Sequence, residues 1–127
     1  MKKREFVLYD LTQYKKIIEE VIRDLNASEY YFDIKLILTE ALTNAYKHGN
    51  KSNNKKSIYL RYFYNNNELK FEIEDSGSNQ KNITIPNEIS DENLLDGSGR
   101  GLFLIKSMAD NVEYKGNMLI IQKYLCY

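Results

Sequence analysis

The sequence predicts an α+β fold, a two-layer α/β sandwich in which a mixed, mainly antiparallel sheet has its helices on one face. Segments with alternating apolar residues come in pairs joined by short turns, which is typical of antiparallel hairpins. Apolar residues at helical spacing separate these pairs, so the predicted order is strand, two helices, two strands, loop, helix and two strands. This order favours helices gathered on one side of an antiparallel sheet over a doubly wound parallel fold.

The first half of the chain begins with a short edge strand at Glu5–Tyr9. Asp10 or Thr12 is a suitable N-cap for the helix that follows. That helix has one apolar stripe, formed by Leu11, Tyr14, Ile18, Val21 and Leu25. A second helix is predicted from about Glu29 to His48, and it ends at Gly49, where a glycine commonly follows the last helical residue.

Two hairpins supply the rest of the predicted sheet: Ser57–Tyr64 with Glu68–Glu74, and Val112–Lys115 with Met118–Tyr124. Asn65–Asn67 forms the first turn and Gly116 lies in the second. Residues 76–99 between the hairpins lack periodicity, and a loop of that length in a compact domain is usually functional or disordered. A helix from about Gly101 to Ala109 follows it.

The length and composition of the chain exclude several classes of function. The chain has 127 residues, 43% of them hydrophobic, which suits one domain spanning residues 1–127. The net charge is zero, so we expect no general attraction to nucleic acid or to an anionic membrane. No apolar run approaches the roughly 20 residues of a membrane span, and the N-terminus does not resemble a signal peptide. The single cysteine, Cys126, excludes an intramolecular disulfide. We therefore expect a cytoplasmic protein.

Five of the six glycines lie in three short segments, the first of which is Glu40–Asn50 (EALTNAYKHGN). Within it Glu40, Asn44 and His48 are spaced by four, which places them along one face of the second helix. An amide oxygen is a hard ligand suited to Mg²⁺, and a carboxylate one turn away can accept a proton from an attacking hydroxyl group. A solvated helix face has the same spacing, so this segment alone does not decide the function.

The second segment is Glu74–Gly77, where Asp75 follows the alternation of a strand. A buried carboxylate at this position can accept a hydrogen bond from an exocyclic amino group such as that of adenine. Gly77 would let a flat ring lie against the backbone. An ordinary turn has the same composition.

The third segment, Gly97–Leu102 (GSGRGL), lies directly before a predicted helix. Glycine-rich backbone at a helix N-terminus presents free amide groups to an anion, and Arg100 adds a forked cation suited to phosphate. The segment is neither a Walker A loop nor a dinucleotide fingerprint. A flexible linker is the alternative interpretation.

In this order and on these elements, the three segments resemble the GHKL ATPase superfamily, which is named for DNA gyrase, a heat-shock chaperone, histidine kinases and a mismatch-repair protein. Within it, Glu40–Asn50 and the GRGLFLI stretch at residues 99–105 are most similar to bacterial anti-sigma-factor serine kinases. The resemblance implies a Bergerat-type ATP-binding fold, ATP and Mg²⁺ as cofactors, and a homodimer. It also implies two partner proteins, a sigma factor that is sequestered and an antagonist protein that is phosphorylated on serine.

The resemblance also implies a role for each site residue. Glu40 would be the catalytic base, Asn44 the Mg²⁺ ligand, and Asp75 with Gly77 the contact to adenine. The remaining nucleotide contacts would come from the glycine-rich lid and two cations: Gly97, Gly99, Gly101, Leu102, Lys47 and Arg100. Two departures from the family are Ser78–Asn82, which lacks a second glycine and an aromatic residue, and Asn117, near the place where the family has a threonine close to adenine.

Two other functions fit part of this pattern. A detached histidine-kinase ATPase module would need its phosphoacceptor histidine on a separate chain, because the only histidine here is His48, inside the predicted site. A protein that binds partners in a nucleotide-dependent way without turnover would also keep the fold. The presence of both Glu40 and Asn44 argues against that last alternative.

Overall fold

The computed structural model of this protein describes residues 1–77 and 100–125. Its sheet has five strands: β1 (Lys2–Leu8), β2 (Ile58–Asn65), β3 (Glu68–Glu74), β4 (Asn111–Lys115) and β5 (Met118–Tyr124). The spatial order is β1-β2-β3-β5-β4, and every neighbouring pair is antiparallel. The predicted α+β class is therefore confirmed, with a sheet that is antiparallel throughout the described residues.

Within the described residues, three α-helices pack with the sheet: α1 (Tyr14–Leu25), α2 (Tyr31–Asn44) and α3 (Arg100–Met108). They share one core with alternate residues of the strands, which on β3 are Leu69, Phe71 and Ile73. The opposite face of the sheet is polar around Arg61, which pairs with Glu5 and Glu72 at 3.0 Å and with Glu74 at 2.6 Å. One face of the sheet is thus buried under helices and the other carries charges.

The predicted cap of α1 is wrong. The helix begins at Tyr14, with Gln13 in the N-cap position, so neither Asp10 nor Thr12 caps it. Asp10 instead organises the preceding turn, where its Oδ1 accepts a hydrogen bond from the Thr12 backbone nitrogen at 2.9 Å. The local bond from an aspartate to a backbone two residues later competes with capping, and here it wins.

The predicted second helix also changes its winding before it ends. A 3₁₀ turn at Ser28–Tyr30 precedes α2, and a π-helical turn at Ala45–Gly49 follows it. The π turn is continued by a hydrogen bond of 2.8 Å from the Asn50 nitrogen to the Ala45 oxygen. Because a π turn holds more residues than an α turn, the spacing from Asn44 to His48 no longer equals one turn. The prediction of one straight face through His48 is therefore wrong.

The residues of the two hairpin turns adopt the left-handed backbone conformations expected of tight turns. Asn66 and Asn67 both adopt left-handed conformations, with φ of 51° and 65°, as a two-residue turn between twisted strands requires. In the turn from β4 to β5, Gly116 has a φ of 59°. This second turn sets the position of Asn117, which lies in the candidate site.

Candidate functional site

Asn44, at the end of α2, is hydrogen-bonded to the sheet. Its Nδ2 donates to the Tyr114 hydroxyl oxygen over 2.6 Å. Tyr114 is the fourth residue of β4 and lies 70 positions further along the chain. This contact could not be expected from the sequence, since the alternation of β4 marks Tyr114 only as an inward-facing residue.

Tyr114 also links Asn44 to Asp75. Burial raises the pKa of the Tyr114 phenol to about 12, the hydrogen bond from Asn44 lowers it, and the negative charge of Asp75 raises it. The phenol is therefore neutral at physiological pH. Because the charge of Asp75 acts on it, the metal-ligand candidate on α2 and the adenine-contact candidate after β3 share this neighbour.

Asp75 is buried directly after β3, with only 5% of its surface exposed. Its Oδ1 accepts a hydrogen bond from the Gly77 nitrogen at 2.9 Å, and its backbone nitrogen donates to the Asn117 oxygen at 3.1 Å. Asp75 is thus buried at the end of this strand, as predicted, and its contact with adenine stays a prediction. A carboxylate so enclosed is costly unless it receives hydrogen bonds.

Two glycines allow the backbone to enclose Asp75. A Cβ atom on Gly49 would lie 2.7 Å from the Cβ of Asp75 and closer still to its carboxylate, and a Cβ on Gly77 would lie 2.7 Å from the Gly49 oxygen. Gly49 does not have the left-handed backbone of a helix C-cap glycine. The predicted capping role of Gly49 is therefore wrong, and its actual role is the close approach of Asp75.

Asn117 completes this side of the site. Its Nδ2 donates a hydrogen bond to the Gly77 oxygen, while its Oδ1 is buried and has no hydrogen-bond partner among the described residues. A buried acceptor without a partner is unusual in a native structure and calls for a ligand or a water molecule. The acceptor lies in the same hydrogen-bonded group as Asp75 and Gly77.

A second asparagine fixes the loop that bears Asp75. Asn50 is fully buried, and its Nδ2 donates to the Lys56 oxygen at 3.3 Å and to the Ser57 oxygen at 3.1 Å. Its Oδ1 accepts from the Ser76 nitrogen at 2.7 Å. One side chain thus joins the end of the π turn to the residue after Asp75. Asn50 lies within the first glycine-containing segment, but its type and position gave no sign of this role.

Glu40 lies one turn before Asn44 on α2 and contacts the start of α3. A Cβ atom on Gly101 would lie 2.8 Å from Glu40 Oε2, so the bare backbone of Gly101 lets this carboxylate approach the first turn of the helix. Leu102, the next residue, is buried in the core with 6% exposed. The structure therefore brings together the first and third glycine-containing segments at Glu40 and Gly101.

The other predicted contacts lie in the π turn, in the lid or at the start of α3. Lys47 and His48 are exposed in the π turn. Gly97 and Gly99 lie outside the described residues, as do residues 78–96 of the predicted lid. Arg100 is the first residue of α3, but its side chain lies outside the description. Within residues 1–77 and 100–125, no group of three or more carboxylate, histidine or cysteine side chains is placed to hold a metal ion.

These features agree with a known family. The model of the histidine kinase-like ATPase domain family matches residues 8–123, so the chain belongs to that family. The resemblance to the GHKL superfamily drawn from the three segments is thereby confirmed. In the described part of the chain, no helix is long and apolar enough to cross a membrane.

Among curated proteins, the chain is similar to the serine-protein kinase RsbW of Staphylococcus aureus. The proteins from strains JH9, Newman and USA300 are each 38% identical to it over 103 residues. The matched region covers 73% of this chain and 65% of each relative. The chain therefore matches slightly less than two thirds of the length of these kinases.

Proposed function

We propose that this protein binds Mg²⁺-ATP and transfers the γ-phosphoryl group to a serine of a partner protein. The observation that carries this proposal is the enclosure of Asp75 by two glycines, beside Asn117 Oδ1, an acceptor that has no partner among residues 1–77 and 100–125. The comparisons support it at the level of the family, which is one of ATPases, and through relatives that are named serine-protein kinases.

The residues around Asp75 fit the adenine end of the nucleotide. Asp75 and Asn117 Oδ1 are acceptors, and the adenine amino group is a donor that can satisfy one or both of them. Guanine has a carbonyl oxygen at the equivalent position, which two acceptors would disfavour. Because Gly49 and Gly77 have no Cβ, the backbone closes around Asp75 and holds its carboxylate at the end of β3.

The residues of α2 fit the phosphate end. Mg²⁺ prefers oxygen ligands and is usually held by few protein groups together with substrate phosphates, so the Asn44 amide oxygen would be its protein ligand. Gly101 is in the first turn of α3, where free backbone N–H groups favour an anion. Lys47 and Arg100 stay predicted phosphate contacts, as do Gly97 and Gly99 in the lid.

Glu40 would act as the general base. When bound, ATP with Mg²⁺ supplies the phosphoryl group that is transferred. Glu40 would accept the proton that the serine hydroxyl loses as its oxygen bonds to the γ-phosphorus, while the bond from that phosphorus to the bridging oxygen breaks and ADP leaves with this oxygen. The contact of Glu40 with Gly101 places this carboxylate beside the helix N-terminus proposed to hold the phosphates, as a base acting on an attacking hydroxyl must be.

The proposed regulatory output is partner switching in transcription. We propose that the phosphorylated serine belongs to an anti-sigma-factor antagonist protein and that the protein sequesters a sigma factor, working as a homodimer in the cytoplasm. The similarity to RsbW supports the kinase chemistry of this proposal. The sigma factor, the antagonist and the dimer stay predictions from the resemblance.

The catalytic part is tested with Glu40→Gln. We expect it to slow transfer of labelled γ-phosphate to a purified antagonist protein by roughly 10²–10⁴-fold, the usual contribution of one general base. Affinity for Mg²⁺-ATP, measured by calorimetry on the same samples, should change little. The matched control is Glu113→Gln, which alters an exposed carboxylate on β4. A parallel loss of nucleotide affinity in Glu40→Gln would contradict the role of base.

A further inference from the structure

We infer that Tyr114 is a positioning residue that orients the Asn44 amide, so that its oxygen rather than its nitrogen is presented to Mg²⁺. This inference rests on the proposed function, because it concerns the same metal site. Its basis is the hydrogen bond of 2.6 Å in which Asn44 Nδ2 donates to the Tyr114 hydroxyl oxygen.

An asparagine needs such a partner if it is to serve as a metal ligand. The two ends of its amide have almost the same shape, but only the oxygen can coordinate a cation, and the NH₂ group can only donate. In this structure the Tyr114 hydroxyl oxygen accepts from Nδ2, and this orientation of the amide leaves Oδ1 for the metal. Removing a group that hydrogen-bonds to a metal ligand and orients it typically weakens metal affinity by 10–100-fold.

The location of Tyr114 suits this role. It is on β4, whose turn into β5 also carries Asn117, so one hairpin contacts both ends of the site. Tyr114 pairs across this hairpin with Leu119, which is buried in the core. The phenol is therefore held by the sheet and not by α2, and it provides a fixed point against which the Asn44 side chain is set.

The variant Tyr114→Phe removes the acceptor and keeps the ring. We would titrate the protein with ATP in Mg²⁺ and again in EDTA, and take the ratio of the two affinities as the effect of the metal. We expect this ratio to fall by about 10-fold in Tyr114→Phe, while the affinity for metal-free ATP stays within about twofold. The matched control is Tyr62→Phe, whose hydroxyl group lies 3.4 Å from Asp24 Oδ2 on α1.

Testing Tyr114→Phe in a protein that also carries Asn44→Asp separates orientation of the amide by Tyr114 from a general structural effect of the substitution. A carboxylate has two equivalent oxygens and needs no orientation, so in this background Tyr114→Phe should change the metal ratio by less than about twofold. The same 10-fold loss in both backgrounds would overturn the inference, because Tyr114 would then act on the site independently of the amide. An unchanged ratio in Tyr114→Phe alone would overturn it as well.

Wild-type controls keep the two proposals apart. If the wild-type protein binds no ATP, the proposed function fails and this inference fails with it. If wild type shows a normal metal effect and Tyr114→Phe does not differ, only the inference fails. Should Tyr114→Phe not fold, the Asn44 side-chain NH₂ protons of wild type decide the question by NMR. Exchange as fast as that of the exposed Asn66 would contradict the hydrogen bond, and slower exchange would support it.

Discussion

Replacing Gly49 with alanine should damage the nucleotide site, although it replaces none of the side chains proposed to contact the nucleotide. The new Cβ would lie 2.7 Å from the Asp75 Cβ and closer still to the carboxylate, whereas ordinary contact begins at 3.4 Å. The Asp75 side chain must therefore move by about 1 Å, which breaks its proposed charged hydrogen bond to adenine, worth about 1.5–3 kcal/mol. ATP affinity should then fall by about 10- to 150-fold. Overpacking of a filled interior also lowers the free energy of unfolding by about 1–3 kcal/mol.

Calorimetry with Mg²⁺-ATP and urea unfolding on the same samples measure both effects. The control is Leu25→Ala, a buried residue of α1, whose truncation should cost about 2–5 kcal/mol and leave nucleotide affinity unchanged. It shows whether a loss of stability by itself weakens binding. Wild-type affinity in a folded Gly49→Ala protein would refute the account, because Asp75 would then be displaced without consequence.

Two further predictions concern stability. Asn50→Ala removes three hydrogen bonds to buried backbone groups and should lower the free energy of unfolding by about 2–4 kcal/mol; urea unfolding against the exposed Asn53→Ala checks this, and equal losses would contradict it. Because the folded pKa of Tyr114 is raised from 10.0 to about 12, its contribution is fully present below pH 10 and is lost as pH rises towards 12. Unfolding measured from pH 9 to 12 should therefore show a loss on the order of 2 kcal/mol that is absent in Tyr114→Phe, and parallel curves would contradict it.

Periodicity in the sequence was enough to predict most of the fold. The predicted bounds of β3 and β5, Glu68–Glu74 and Met118–Tyr124, are those observed. The bounds of β3 followed from its alternation, because alternate residues of this strand face the core. The wrong predictions concern places where the backbone can adopt a competing local structure. Asp10 bonds to its own turn instead of capping α1, and the π turn after Asn44 leaves no signature in apolar spacing.

The site was predictable only where its chemistry resides in a local motif. Asp75 could be expected to be buried because it follows an apolar alternation and precedes a glycine. The role of Tyr114 could not be predicted, because its partner Asn44 is 70 residues away. The resemblance placed Asn117 near adenine, but not its bond to Gly77, which is 40 residues away. The sequence shows a glycine at position 49 but not why it is needed. A Cβ there would clash with the Asp75 side chain, which only the fold brings close. The features of the site that could not be predicted thus depend on contacts between segments that are distant in the sequence.

The most direct test of the account is calorimetric titration of wild type and Asp75→Asn with ATP and GTP in the presence of Mg²⁺. Asp110→Asn is the matched control, since its Oδ2 also accepts a backbone N–H, from Tyr124 at 2.7 Å. Loss of a charged hydrogen bond of about 1.5–3 kcal/mol predicts adenine-selective binding that is about 10- to 150-fold weaker in Asp75→Asn and unchanged in Asp110→Asn. Absence of ATP binding by folded wild type, or equal binding by Asp75→Asn, would contradict the proposed nucleotide site.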